Sequence, residues 1–424
     1  MRLELGTFWV KDVLFSDQTK LAHETLHINR EELRALLLQD PNLEKADIEI
    51  VRPGEEARII HVLDVIEPRC KVSGRGSVFP GFLGPAYTCG DGRTHRLAGV
   101  TVVLAAELLD RTVKTRIGEA IIDMSGPGAQ WSPFSRTVNI VLALRPTGGI
   151  SVEVCDSALL QAGLKAAEYL GRVAATGEPD QWDVFELGKA ESSLPKVVYI
   201  RVAADDGALY GLPLGLTPTV LHPNEILDGA LVNTTWRYAA DRNVTLIQCN
   251  TPVVRALFDQ HRKTLDFVGV VICGSPGRSQ QEKERNAEYA VKLARFLGAQ
   301  GAVVGWDYGG SSQVNLMMIC KKCEEGGIKT ALVIEELAGP QGDDQSLVFT
   351  TPEADAIVSC GNREETILLP PMKRVIGGEV LYQTEESVVT LLSSDPRGKI
   401  STRMLNLLAS CNRIGFNTIA AQEF

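Results

Sequence analysis

Hydrophobic and polar residues alternate along most of the first 150 positions of the chain. The alternation has the period of two that is typical of strands, most clearly in the runs 57–66 and 99–104. A run with apolar residues at helical spacing, 155–171, follows and predicts a helix that closes the domain. We therefore predict a β-rich N-terminal domain at residues 1–175.

After residue 265 the pattern changes to short, almost continuous apolar runs separated by longer amphipathic runs. Near-continuous apolar strands with intervening helices indicate a parallel sheet that is covered on both faces. We therefore predict a doubly wound, mostly parallel α/β domain at 266–424, and α/β (α+β overall) as the fold class of the chain. The predicted strands are 194–204, 266–273, 302–305, 330–335 and 356–360, and the predicted helices are about 281–297 and 311–323.

A central segment, residues 176–265, lies between these two domains. Within it a strand-like run leads into Asn233 and Thr234, and a second strand-like run ends at Cys249. Amide, hydroxyl and thiol groups thus lie where predicted strands stop. If the chain carries out chemistry, we expect it in this segment first.

Composition restricts the classes of function. A chain of 424 residues with 44% hydrophobic residues can bury large cores and is expected to form two or more domains. The net charge of −10 and the lack of a basic run argue against binding to nucleic acid or to an anionic membrane. Nine scattered cysteines are typical of free thiols in a reducing compartment. With no apolar run of membrane-spanning length and no signal-like N-terminus, we expect a cytoplasmic location.

Two loops rich in glycine and proline interrupt the β-rich domain, at 73–92 and 124–135. The first either connects strands or contacts a ligand or partner. In the second, Trp131 and Phe134 either wall in an apolar or quaternary ammonium group, or fill the core at a tight corner. Both interpretations are open for each loop.

A turn containing Gly309, Gly310 and Ser311 opens a predicted helix, where backbone N–H groups can hold an anion. The turn matches neither a Walker loop nor a dinucleotide-binding fingerprint. We therefore predict no nucleotide.

Two other spacings suggest a metal at first sight. Cys320 and Cys323 form a C-x-x-C pair late in a predicted helix, but no second pair or nearby histidine accompanies them. His23 and His27 are four residues apart in a run that alternates like a strand and hairpin. Packing cysteines and surface histidines are the better interpretations, and we predict no metal.

Segments along nearly the whole chain resemble one family, the precursor subunit of component B in the glycine/sarcosine/betaine reductases. In that family the precursor cuts itself ahead of a cysteine, which then becomes a pyruvoyl group. The carbonyl takes the substrate amine as a Schiff base, while a cysteine or selenocysteine of a companion subunit attacks the α-carbon. The segments that carry the resemblance are 222–230 (His222-Pro-Asn-Glu-Ile-Leu-Asp-Gly-Ala230), 251–254, 266–272, 64–69, 79–81, 94–95 and 121–126.

The resemblance fails at the family's central catalytic residue. Without gaps through this stretch, the position of the pyruvoyl-forming cysteine is occupied by Trp236, which follows Thr235. An indole can neither attack the backbone nor eliminate. We therefore predict that the pyruvoyl group is absent and expect no cofactor.

Three replacements remain open. Asn233-Thr234 can undergo the same backbone shift, Cys249 can act directly as a nucleophile, or the site only binds its substrate. We favour the third and predict a substrate-binding subunit of a two-subunit, component B-like enzyme. It would cleave a C–N bond of a small amino acid or betaine-like compound, reductively or by thiol displacement.

The alternative is a hydrolase of small amides or lactams that uses Thr234, after self-cleavage, or Cys249. The predicted partners are a companion subunit with a reactive cysteine or selenocysteine and a small-molecule substrate. Candidate catalytic residues are Asn233, Thr234 and Cys249, and candidate substrate-binding residues are Asp228, Trp236, Tyr238, Trp131, Gly309, Gly310 and Ser311.

Overall fold

The computed structural model of the chain describes residues 1–108, 119–188, 193–203, 207–236, 239–240, 242–277, 279–306, 311–384, 391–411 and 414. The elements of the first part are strands β1 (Arg2–Trp9), β2 (Asp12–Phe15), β3 (Lys20–Ala22) and β4 (Thr25–Ile28), helix α1 (Arg30–Leu37), strands β5 (Leu43–Val51), β6 (Ala57–Ile59), β7 (Val62–Ile66), β8 (Arg69–Ser73), β9 (Gly92–Ala98), β10 (Val100–Ala106), β11 (Ile122–Asp123) and β12 (Val138–Pro146), helix α2 (Val152–Gly171) and strand β13 (Gln181–Glu186).

The remaining elements begin at residue 196. They are strands β14 (Lys196–Val202), β15 (Ala208–Leu209), β16 (Leu212–Pro213) and β17 (Thr219–Leu221), helix α3 (Pro223–Leu227), strand β18 (Leu231–Val232), helices α4 (Thr245–Cys249) and α5 (Pro252–Gln260), strand β19 (Asp266–Cys273), helix α6 (Gln280–Phe296), strand β20 (Gly301–Trp306), helix α7 (Ser311–Glu325), and strands β21 (Lys329–Glu336), β22 (Ile357–Asn362), β23 (Thr366–Leu369), β24 (Arg374–Ile376), β25 (Leu381–Thr384), β26 (Leu391–Ser394) and β27 (Ile400–Arg403).

The N-terminal part is built on two four-stranded sheets, with strand orders β13-β1-β9-β8 and β5-β12-β10-β7. Every residue of β10 is buried, because alternate side chains point to opposite faces and both faces are covered. Val102 and Leu104 pack in the cluster that includes helix α2, which Ser151 caps. Val103 and Ala105 pack in a second cluster that includes Ile247 of α4. The central segment therefore covers one face of this sheet.

The C-terminal part contains a six-stranded sheet of order β17-β19-β14-β20-β21-β22. All neighbouring pairs are parallel except the edge pair of β17 and β19. In chain order the parallel strands follow the pattern 2-1-3-4-5, which belongs to one of the two common doubly wound folds. Helices α6 and α7 cover one face, and α3 and α5 cover the other. The predicted fold class is confirmed.

Strands β14 and β17 join this sheet although they come from the segment that we set apart as central. The boundaries 1–175, 176–265 and 266–424 themselves remain a prediction. The first part of the chain also contacts the sheet, since Leu3 and Leu5 of β1 pack with Tyr199 of β14.

The end of the chain returns to the N-terminal part. Strand β24 pairs with β6, and Arg58 of β6 donates to the carbonyl oxygens of Pro370 and Pro396 at 3.0 and 2.8 Å. The guanidinium also holds Asp123 in a two-bonded ion pair of 2.6 and 2.8 Å, with both side chains fully buried. Neither buried charge is solvated, so each depends on the other. The ion pair thus holds Arg58 in place, and Arg58 fixes the returning segment through the two carbonyl oxygens.

One predicted element is wrong. The strand-like run that ends at Cys249 is the helix α4, whereas the first strand-like run is confirmed as β18. The residues of α4 are strand formers by local preference, but the carboxylate of Asp64 accepts the backbone N–H and the hydroxyl of Thr245 at 2.8 and 2.6 Å. This side chain from a distant strand caps the helix and overrides the local preference.

All nine cysteines are buried and free, which confirms the prediction of free thiols. His23 lies in the turn between β3 and β4, and His27 lies on β4, in the hairpin that the sequence predicts. Within the described ranges, no group of three or more His, Cys, Asp or Glu side chains is arranged to hold a metal ion. No helix in the described part of the chain is long and apolar enough to cross a membrane.

Candidate functional site

The run from Leu231 to Trp236 is almost entirely buried, and Thr234 is its one partly exposed residue. Asn233 is fully buried and holds the run in place. Its backbone N–H donates to Thr245 Oγ1 at 3.2 Å, and its side-chain oxygen accepts from Thr235 N at 3.4 Å. The backbone and the side chain of Asn233 therefore fix the backbone on both sides of Thr234.

Asp64 connects this run to helix α4. Its carboxylate accepts three hydrogen bonds, from Thr245 N, Thr245 Oγ1 and Val65 N. Burial raises the pKa of Asp64 to about 7, although these hydrogen bonds and the charge of Arg242 oppose the shift. A carboxyl group that titrates near neutral pH thus lies directly behind the Asn233–Thr245 contact.

Replacing Asp64 with asparagine is expected to change how stability depends on pH. The folded state binds a proton that the unfolded chain releases near pH 4, so the wild-type free energy of unfolding should fall as pH rises from about 4 to 7. The fall, relative to Asp64→Asn, should be on the order of 1 kcal/mol per pH unit and should level off above pH 7. Denaturant unfolding at a series of pH values measures it. Parallel pH profiles for the two proteins would contradict this assignment.

Cys249 lies at the end of α4 and is 1% exposed. Burial raises the pKa of its thiol to about 11, and the nearby charge of Arg69 does not overcome that effect. Arg69 itself is held by Glu67 Oε2 at 2.5 Å and by the carbonyl oxygen of Leu227 at 2.9 Å. Because the thiolate is the reactive form, a buried thiol with this pKa is a weak nucleophile at neutral pH.

Trp236 is 3% exposed and packs in the same hydrophobic cluster as Val232 and Cys249. A large aromatic ring in this position contributes mainly through buried apolar area. Asp228 is also fully buried, and its carboxylate accepts from Lys71 Nζ, from Gly90 N at 2.8 Å and from Thr94 Oγ1 at 2.5 Å.

A cleft of about 490 Å³ opens beside Asn250, between helix α5 and the turn that joins β9 to β10. Two guanidinium groups converge on one atom at its wall. Arg96 Nη1 donates to Asn250 Oδ1 at 2.7 Å, and Arg255 Nη1 donates to the same oxygen at 3.1 Å. Arg96 Nη1 also lies 3.3 Å from Glu67 Oε1, and burial would raise the pKa of Glu67, but Arg96 and Arg69 hold it below its usual range.

Helix α5 presents two different faces. Residues at spacing i, i+3, i+4 and i+7, namely Pro252, Arg255, Ala256 and Asp259, line the cleft. Val254 and Leu257 point the other way, into the apolar cluster under the parallel sheet. The burial of the apolar face fixes the helix, so the polar face is held rigidly towards the cleft.

The family model for glycine/sarcosine/betaine reductase component B subunits matches residues 1–422. The chain belongs to this family. The predicted enzyme class, a reductase subunit, is therefore confirmed. No solved structure matches the chain.

Similar members of the component B family cover the chain along its length. The chain is 36% identical to the glycine reductase complex component B subunits alpha and beta of Acetoanaerobium sticklandii, over 442 residues and 100% of both chains. It is 38% identical to the sarcosine reductase complex component B subunit alpha of Peptoclostridium acidaminophilum, over 440 residues and 100% of both. It is 33% identical to the betaine reductase complex component B subunit alpha of the same organism, over 395 residues, 89% of this chain and 88% of the relative.

The structure brings together some of the residues predicted for this component B subunit. Asn233 and Thr234 precede Trp236 on one buried run, and Trp236 shares its cluster with Cys249. Trp131 packs in another cluster, with residues such as Leu369 and Met404. The assignment of these residues to catalysis or binding remains a prediction.

Of the remaining predicted residues, the structure describes only Ser311. Ser311 begins helix α7, whereas Gly309, Gly310 and Tyr238 lie outside the described residues. Next to Ser311, the hydroxyl of Ser312 accepts from Ser275 Oγ at 2.8 Å, just after the carboxyl end of β19. The anion-binding turn predicted here remains a prediction.

Sequence reasoning missed the residues of the cleft, which are Glu67, Arg96, Asn250 and Arg255. One signal was available for the last of them. The run that begins at Pro252 has charged residues three and seven positions later, which is the spacing of one helix face.

Proposed function

We propose that this chain is the substrate-binding subunit of a two-subunit, component B-like enzyme. The enzyme would cleave a C–N bond of a small amino acid or a betaine-like compound, reductively or by thiol displacement, without a pyruvoyl group. The observation that supports this most is Trp236, an indole at the position where the family resemblance places the pyruvoyl-forming cysteine. Its ring is 3% exposed and packs in the core.

Chemistry without a carbonyl suits a quaternary ammonium substrate, which has no N–H from which a Schiff base can form. In thiol displacement the thiolate attacks the α-carbon, so that a C–S bond forms, the C–N bond breaks and the amine leaves with the bonding electron pair. The thiol has to come from outside this chain's candidate residues, because Cys249 is buried and its pKa is raised to about 11. We propose that a companion subunit with a reactive cysteine or selenocysteine supplies it.

The hydrolase alternative requires Thr234 or Cys249 to be a nucleophile. Burial disfavours Cys249, and the partial exposure of Thr234 leaves it as the one candidate of that interpretation. In a hydrolase, Thr234→Ala would abolish both self-cleavage and turnover.

The purified full-length chain is expected to bind a small zwitterion reversibly, because binding is the role assigned to it. Equilibrium dialysis with labelled glycine, sarcosine and glycine betaine, with and without the companion subunit, measures this. Release of all bound ligand on dialysis is the expected result. A chain that binds none of the three in either form would contradict the proposed function.

A further inference from the structure

We propose that the cleft beside Asn250 is the substrate site, and that it takes a small zwitterion with a carboxylate at one end and a methylated ammonium group at the other. The proposal rests on the proposed function and adds the location of the site and the class of ligand. It places the ligand against Arg96 and Arg255 and away from the buried run at Asn233 and Thr234.

The two arginines are the groups that would bind the carboxylate of the ligand. Both guanidinium groups donate to Asn250 Oδ1, at 2.7 and 3.1 Å. Arg255 Nη2 also donates to Asp183 Oδ2 at 2.8 Å, and Arg96 Nη1 to Glu67 Oε1 at 3.3 Å. The side chain of Arg96 is 11% exposed and that of Arg255 is 26% exposed. Each guanidinium has five N–H groups in a planar fork, and a carboxylate is the anion that such a fork recognises with two parallel hydrogen bonds.

The charge balance of the cluster favours an anion. Three guanidinium groups, of Arg69, Arg96 and Arg255, are close together, and two carboxylates, of Glu67 and Asp183, pair with them. Burial lowers the pKa of Arg255, and the charge of Arg96 lowers it further. These three guanidinium groups and two carboxylates thus have one positive charge in excess, and the further carboxylate of the cleft lining, Asp259, is exposed to solvent. A bound carboxylate neutralises that charge.

The rest of the cleft lining suits methyl groups on a cation. It includes the apolar side chains of Ala98, Val100 and Leu246 and the carboxylate of Asp259. Apolar contacts accommodate methyl groups, and a carboxylate without a bound proton attracts the positive nitrogen. The volume of about 490 Å³ lies within the range of small-molecule sites.

The cleft also leaves room for a nucleophile from another subunit. Among the residues that the structure describes, those lining the cleft include no cysteine. The cleft is open to solvent, so a thiol on a docked companion subunit can approach the bound α-carbon. Its wall includes Leu246 and Asn250, which flank Cys249 in the central segment.

The test is isothermal titration calorimetry of the purified full-length chain with glycine betaine. Arg255→Ala should weaken binding roughly tenfold to a hundredfold, because it removes charge-assisted hydrogen bonds to the carboxylate. Arg172→Ala is the matched control and should bind as the wild type does, because it removes an exposed arginine that follows α2, pairs with Glu168 and is not among the residues that line the cleft.

Two ligand controls separate the ends of the zwitterion. Choline keeps the trimethylammonium group without a carboxylate, and 3,3-dimethylbutyrate keeps the carboxylate with an uncharged tert-butyl group. Both should bind more weakly than glycine betaine to the wild type, and Arg255→Ala should leave the affinity for choline unchanged. If choline binding falls in Arg255→Ala as much as betaine binding does, the arginine does not contact the carboxylate and the proposal is overturned.

A second variant keeps the test decisive if Arg255→Ala fails to fold. Ala256 is exposed on the cleft face of α5, so Ala256→Trp fills the cleft without disturbing the core, and it should abolish betaine binding. Normal betaine binding by Arg255→Ala or Ala256→Trp would overturn the cleft and leave the proposed function standing. A wild-type chain that binds no zwitterion, with or without the companion subunit, would overturn the proposed function, and the cleft with it.

Discussion

Turnover is expected only when a companion subunit is added, and none is expected from the chain alone. The purified chain alone should release no detectable amine from glycine, sarcosine or glycine betaine in the presence of a thiol reductant. The physical reason is that, in the proposed function, this chain binds the substrate, while its nine cysteines are all buried and offer no accessible thiol. The proposal therefore requires the attacking group to come from a second subunit, and we expect C–N cleavage only when the two chains are combined.

The surface of the chain is consistent with such a partner. Leu212 and Leu216 are 70% and 45% exposed, close together around β16, and Phe296 at the end of α6 is 86% exposed. Exposed apolar side chains favour association, and obligate interfaces are large and apolar. We therefore expect the isolated chain to self-associate or to be poorly soluble, and the co-expressed pair to elute as one species in size-exclusion chromatography.

The control is a companion subunit whose reactive cysteine or selenocysteine is replaced by serine. It should form the same complex and restore no turnover. A monodisperse monomer of this chain that releases amine at the rate of the complex would refute the two-subunit account. Full turnover with the serine variant would show that the nucleophile belongs to this chain after all.

The parallel half of the fold follows from local sequence. Strands β19 to β21 are nearly continuous apolar runs, and α6 and α7 are long enough for their helical period to be visible. The strand β14 is also visible, but its place at the centre of the sheet depends on pairing with β19 and β20, which no local pattern encodes.

The error at Cys249 has a physical origin. The run from Thr245 to Cys249 contains β-branched residues and has the local preference of a strand. The helix is fixed by the carboxylate of Asp64, which is distant in sequence and becomes a cap only after β7 has packed. Tertiary contacts of this kind decide short elements, because five residues carry too little intrinsic preference of their own.

The cleft could not be predicted from the sequence, for a similar reason. Arg96 lies at the end of β9, and Arg255 lies on α5, and only the folded chain brings both to Asn250 Oδ1. By contrast, the chemistry that marked Asn233, Thr234 and Cys249 is visible in the sequence, but the burial of Asn233 and Cys249 is not. Residue type identifies candidate site residues, whereas packing decides which of their side chains are accessible and which lie close together.

The second large expected effect concerns self-cleavage, because we predict that the pyruvoyl group is absent. In the family, the precursor cuts its own backbone ahead of a cysteine, and the products are two chains, one of them blocked by the carbonyl. Here the corresponding position is Trp236, and an indole provides no atom that can attack the preceding carbonyl and then leave by elimination. The ring is also packed with Val232 and Cys249, so the backbone around it is held in a buried environment. We therefore expect the chain to remain whole.

Intact-mass spectrometry of the denatured protein, before and after treatment with phenylhydrazine, tests this claim most directly. We expect a single species near 46.0 kDa whose mass does not change with the carbonyl reagent. Two fragments, with the smaller one gaining the mass of a hydrazone, would contradict it.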